Sequence, residues 1–244
     1  GQVHASNGGS IYGTIVNNGG KVYVSNGGSS YNTIINTGGH EYILSGGYGP
    51  YATINSGGQQ TISAGGLDEG STINNGGVQN VYGQATLSTS QLTNAGTISI
   101  LAGQTLNLIG NYTQTGSGIL ELGLGDSTTT TTPTLSSGKL NITGSATLQP
   151  GARIILNQST PGLEANSRYN NLFTASQGIT GSFSEGVYRG RKFSLETNST
   201  GGIDLVTGGI NPVTGDINGN DGFAKLNALL GGGGNQVILI FPAQ

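Results

Sequence analysis

The chain of 244 residues has no cysteine, no methionine and no tryptophan, and its only histidines are His4 and His40. Without cysteine there are no disulfides, no thiolate metal sites and no cysteine nucleophile. Two histidines cannot make a three-histidine zinc site and leave little scope for imidazole acid–base chemistry. Charge is also scarce: 8% of residues are charged, with eight Lys and Arg against eleven Asp and Glu. A net charge of −3 offers nothing to neutralise a run of phosphates, so nucleic acid is excluded as a partner. The same scarcity argues against disorder driven by charge repulsion. No apolar run approaches the ~20 residues of a membrane helix. The first residue is Gly1 and no secretory leader pattern is present, so the chain reads as a mature piece of a longer precursor. No cofactor is expected.

Glycine is what the chain has in abundance, with 47 residues. Eight Gly-Gly pairs begin at residues 8, 19, 27, 38, 46, 57, 65 and 76, separated alternately by 11 and 8 residues. This is a 19-residue repeat with two glycine turns per unit, running four times over residues 6–81. Aligned, the units expose columns. Val16, Ile35, Ile54 and Ile73 form one, and Val24, Ile43, Ile62 and Val81 form another. Asn17, Asn36, Asn55 and Asn74 form a third without exception. Short β-branched segments bounded by Asn-Gly-Gly or Ser-Gly-Gly read as strands and turns. A 19-residue unit cannot bury its own apolar side, but stacked copies can.

The expected fold is therefore all-β: a right-handed parallel β-helix, or solenoid, with one unit per coil and one short C-terminal helix at most, near 222–230. The apolar columns point inward. The asparagines either form an amide ladder along the axis or simply flank turns. Residues 1–95 are the repeat β-helix, and 96–209 continue it into a C-terminal stem or cap. Residues 210–244 form a tail or linker, partly disordered. At about 20 residues per coil, residues 1–209 make about ten coils and a rod of roughly 50 Å. Thr128–Pro133 is a polar loop projecting from the body.

The 19-residue units resemble the passenger repeats of self-associating autotransporter adhesins of Gram-negative bacteria. Segments 110–125, 138–154 and 169–183 resemble the conserved stem, or autochaperone region, of such passengers. The resemblance implies a non-enzymatic protein displayed at the cell surface or released outside, exported through the periplasm of a Gram-negative bacterium. It implies autoaggregation with copies on neighbouring cells, biofilm formation, and adhesion to host glycans or surface receptors. It further implies an O-heptosyltransferase as a partner, with Ser6, Ser25, Ser45, Ser56 and Ser63 as glycosylation candidates; the alternative for each is an ordinary turn serine. The membrane barrel of that family has no counterpart in the 35 residues after 209.

Other chemistry is thinner. Parallel β-helices include polysaccharide lyases and hydrolases, so paired acids matter. Asp68 and Glu69 read as a solvated loop, with a paired acid site as the alternative. His40 and Glu41 read as a surface pair, with a dyad as the alternative. No catalytic residue is assigned. Asp216, Asn218 and Asn220 have the spacing of the first ligands of a calcium loop, but Asn227 stands where a bidentate Glu is required. No metal site is assigned beyond that candidate. Arg189, Arg191 and Lys192 form the one basic cluster. The threonine array of an ice-binding face starts at Thr14 and Thr33 but fails at Ala52 and Ser71.

Overall fold

Beyond the first coil each Gly-Gly pair solves two problems, and Gly57–Gly58 shows both. Gly57 has φ of 73°, the left-handed backbone that glycine adopts without strain. Gly58 N donates to Asn55 O at 2.8 Å and closes the turn. A Cβ on Gly58 would stand 2.3 Å from the carbonyl oxygen of Ile35, one coil earlier. The first glycine thus permits the turn and the second lets the coils approach. Where Asn26 (φ 43°) precedes Gly27 (φ 78°), both central residues have positive φ, the pattern of a type I′ turn.

These turns organise a parallel β-solenoid, seen in a computed structural model that describes residues 1–83, 85–127, 134–158, 168–188, 191–192, 194–206, 209–210 and 217–218. The early coils run through short strands on three faces, for example Lys21–Val24, Ser29–Tyr31 and Ile34–Ile35, with Tyr48 holding the middle face of the third coil as a single bridge. One sheet stacks Gln2–Ala5, Lys21–Val24, His40–Ile43, Gln59–Ser63, Val78–Tyr82, Thr97–Ile100, Ile119–Ser127, Arg153–Gln158 and Glu185–Tyr188 in parallel. The register advances 19 residues per coil, as in Val24↔Ile43 and Ile43↔Ile62. The second sheet pairs Val16↔Ile35, Ile35↔Ile54 and Ile54↔Ile73.

Both apolar columns point inward. Val16, Ile35, Ile54, Ile73, Val24, Ile43, Ile62 and Val81 are all buried, and Ile98, Ile100, Leu120, Leu122 and Ile154 continue the core. Each such side chain contributes about 1.5–3 kcal/mol of burial. No helix occurs among the described residues. The segment 222–230, where one was expected, lies outside them.

The expected coil length holds only to residue 97. Thr97 pairs with Ile119, Ile119 with Arg153, and Arg153 with Glu185, steps of 22, 34 and 32 residues. Part of the excess leaves the coil as an antiparallel hairpin, in which Leu124 faces Ser137 and Ser127 faces Thr134. The expected loop Thr128–Pro133 lies outside the described residues. The nine parallel strands of the first sheet therefore span roughly 38 Å rather than roughly 50 Å.

At the C-terminal end the pairing changes sense. Ile203–Val206 runs antiparallel to Arg168–Ala175 and to Ser194–Thr197. Arg168 donates to Asp204 at 2.7 Å and also to Glu196. This antiparallel layer covers the edge of the last parallel rung, which otherwise presents unpaired backbone groups.

Candidate functional site

In parallel, in-register stacking, side chains of equal position in successive coils must meet. On the outside this produces ladders. Asn36 Nδ2 donates to Asn17 Oδ1 at 2.9 Å, Asn55 to Asn36 at 2.9 Å, and Asn74 to Asn55 at 2.8 Å. Asn17 is exposed and the other three are half-buried. Each asparagine also closes a turn, as in Gly77 N donating to Asn74 O. A second amide pair, Asn26 to Asn7, spans 3.1 Å.

Replacing Asn55 with alanine removes two rungs, from Asn55 to Asn36 and from Asn74 to Asn55. The expected loss is about 1–2 kcal/mol, read as a lower urea midpoint. An unchanged midpoint would show that the ladder adds no stability.

Aromatic rings stack alongside. His4 lies on Tyr23 and Tyr23 on Tyr42, each with centroids 4.8 Å apart, and Tyr12 lies on Tyr31 at 4.9 Å. His40 stacks on Tyr42 at 3.9 Å and its Nε2 meets Thr61 Oγ1 at 2.8 Å. Partial burial, with the Lys21 charge adding to it, holds the His40 pKa below the usual value.

Inside the coil lies a polar string. Glu41, Gln60 and Gln79 occupy one inward column at 19-residue steps, and all three are fully buried. Gln60 Nε2 donates to Glu41 Oε2 at 3.0 Å. Gln79 Nε2 donates to Gln60 Oε1 at 2.8 Å and to Asp68 Oδ2 at 2.9 Å. Ser71 Oγ donates to Asp68 Oδ1 at 2.6 Å, and Ser30 donates to Glu41. The next residue in the column is Ile98, so the string stops there and Gln79 Oε1 is left without a partner.

Burial pushes the Glu41 carboxyl above the usual range, against hydrogen bonds from Ser30, Gln60 and Thr33. Burial likewise raises Asp68 to about 7; the Ser71 bond opposes this and the Glu41 charge adds to it.

Two readings from the sequence are corrected here. His40 and Glu41 are not a surface pair: alternation along the strand His40–Ile43 sends Glu41 into the core while His40 stays outside. Asp68 is not in a solvated loop either, since it lies in the strand Leu67–Asp68 and is fully buried. Its neighbour Glu69 points outward and accepts hydrogen bonds from Tyr48 and, at 3.3 Å, from Tyr51. The buried string went unread, although Glu41, Gln60 and Gln79 precede the apolar column Ile43, Ile62 and Val81 by two residues in each unit.

The turn serines are accessible to different degrees. Ser6, Ser45 and Ser56 are exposed, whereas Ser25 and Ser63 are half-buried. Asp216 and Asn220 lie outside the described residues, as does Arg189; for Asn218, Arg191 and Lys192 only strand positions are described. Among the described residues no group of three or more His, Cys, Asp or Glu could hold a metal ion, and no helix is long and apolar enough to cross a membrane. Neither known family models nor curated proteins match this sequence.

Proposed function

We propose that the chain is a surface-exposed autotransporter-type passenger that mediates autoaggregation, biofilm formation and adhesion as a stiff repeat rod, without enzymatic turnover. The reading rests on one observation: along the early coils an outward amide ladder joins Asn17, Asn36, Asn55 and Asn74, and an aromatic stack joins His4, Tyr23 and Tyr42. A contact made by one rung is weak, but identical rungs on two rods act together, and avidity multiplies them. The low charge, 8% of residues, leaves little repulsion between rods. The partners are copies on neighbouring cells and, for adhesion, host glycans or surface receptors.

A catalytic role is less well supported. Glu41 and Asp68, the acids linked through one hydrogen-bonded string, are sealed in the core where no polymer reaches them. Polysaccharide turnover lost in Asp68→Ala would reverse this preference. The exposure of Ser6, Ser45 and Ser56 favours a second reading, in which the rod is the acceptor of an O-heptosyltransferase. Heptose additions in the intact mass of native material would support it.

Self-association through polar and aromatic rungs is expected to depend weakly on salt, because long-range charge attraction contributes little. By sedimentation velocity, the association constant should change by less than about threefold between 50 and 500 mM NaCl, conditions that span Debye lengths of roughly 14 to 4 Å. A collapse of association over that range would contradict the proposal.

A further inference from the structure

Position 51 breaks a rule that the neighbouring coils keep. Gly13, Asn32, Tyr51 and Gly70 follow one another at 19-residue intervals, and all four have left-handed backbone, with φ of 59°, 55°, 62° and 71°. The bend is imposed by the coil. Glycine makes it freely and asparagine tolerates it, but a bulky side chain there is an outlier. Tyr51 carries backbone strain that Gly avoids and Asn tolerates at the equivalent positions. Strain kept where a relaxed residue would serve points to a task for the side chain.

The surroundings define that task. Tyr51 is 50% exposed. Its Cδ1 and Cε1 lie 3.0 and 3.1 Å from the point a Cβ on Gly70 would occupy, so the glycine leaves room for the ring on the next coil. The Tyr51 hydroxyl donates to Glu69 Oε1 at 3.3 Å, and the Tyr48 hydroxyl donates to Glu69 Oε2. Tyr31 meets Tyr48 edge-on at 6.0 Å. Glu69 takes part in neither of the ion pairs found among the described residues, which both belong to Arg168. An open aromatic ring thus stands beside a carboxylate that is hydrogen-bonded on both oxygens yet retains unused lone pairs.

We propose that Tyr51, Glu69 and Tyr48 form a binding site for a neutral pyranose ring. The C–H face of the sugar lies on the negative π face of Tyr51. Two sugar hydroxyls donate to the remaining lone pairs of Glu69, forming charge-assisted hydrogen bonds. A neutral polyol fits better than an organic cation, because the lone pairs left on Glu69 call for hydroxyl donors and a single open ring is not a cage. The site rests on the glycan adhesion proposed above, to which it gives a place on the rod, and it stands or falls apart from self-association.

The test uses the whole chain at a dilution chosen so that sedimentation shows it to be monomeric. The probes are methyl β-D-galactopyranoside and methyl α-D-glucopyranoside, followed by backbone NMR, with choline as the cationic comparison. Saturable shifts confined to Tyr48–Gly70 are expected with at least one pyranoside. Tyr51→Asn should weaken that binding about tenfold, and Glu69→Gln should weaken it as well. Because asparagine suits the left-handed bend, Tyr51→Asn should melt at or above the wild-type temperature. The assignment is overturned if neither pyranoside gives saturable shifts or if choline binds in their place. It is equally overturned if Tyr51→Asn melts several degrees lower, which would make the ring a packing element.

Discussion

Gly58→Ala is expected to destabilise the rod by roughly 3 kcal/mol, among the larger effects of a single methyl group. The added Cβ would lie 2.3 Å from Ile35 O and 2.9 Å from Ile35 C, and neither backbone atom can yield without separating two coils. The backbone hydrogen bonds between those coils, such as Asn55 N to Ile35 O at 2.9 Å, would lengthen with them. Gly19→Ala is the control. Gly19 has φ of 73°, and nothing lies within 4 Å of its added Cβ, so alanine there costs only the left-handed strain of about 1–2 kcal/mol. Urea unfolding of both variants separates the two roles of the pair. Equal losses would mean that close approach of coils is not what the second glycine provides.

The second large effect concerns pH. Asp68 titrates at about 7 in the folded chain against 3.8 as its ordinary value. Between these values the folded state holds a proton that the unfolded state has released. Stability from this group is therefore complete below about pH 4, falls as pH rises, and is lost above about 7. The swing is about 4 kcal/mol, and Glu41, displaced in the same direction by its burial, adds to it. The unfolding midpoint should drop steadily from pH 4.5 to pH 7.5. Asp68→Asn should flatten the curve and unfold later than the parent at pH 7.5. A parent curve already flat over this range would mean that the buried carboxyls are charged at no penalty.

The part of the architecture legible in the sequence was the part with strict period. The alternation of Gly-Gly pairs and the column Val16, Ile35, Ile54 and Ile73 dictate parallel stacking, because only in-register coils place those residues together. The later coils were misjudged because the glycine punctuation stops and longer strands take over. Thr105–Gln114, for instance, pairs with both Lys139–Ile142 and Ala146–Leu148. Nothing local in the sequence says that residues around 124–137 leave the coil as a hairpin.

The candidate sites divide in the same way. The asparagine column was visible as a repeat, but whether its amides bond depended on rotamers that only the structure supplies. The acids were misread because each was compared with its neighbour in sequence, His40 or Glu69, instead of with the residue one coil away. Tyr51 was silent because its peculiarity is a backbone angle, recognisable only beside Gly13, Asn32 and Gly70.

The asparagine ladder has one further consequence. Every amide donates toward the preceding coil, from Asn74 to Asn55 to Asn36 to Asn17, so its small dipoles all point one way and the column is a vector. Two such vectors side by side repel when they run alike and attract when they run opposed. Under the display proposed above, rods standing on one surface would run alike and rods reaching across from a facing surface would run opposed, so the column would favour bridging between surfaces over clumping on a single one.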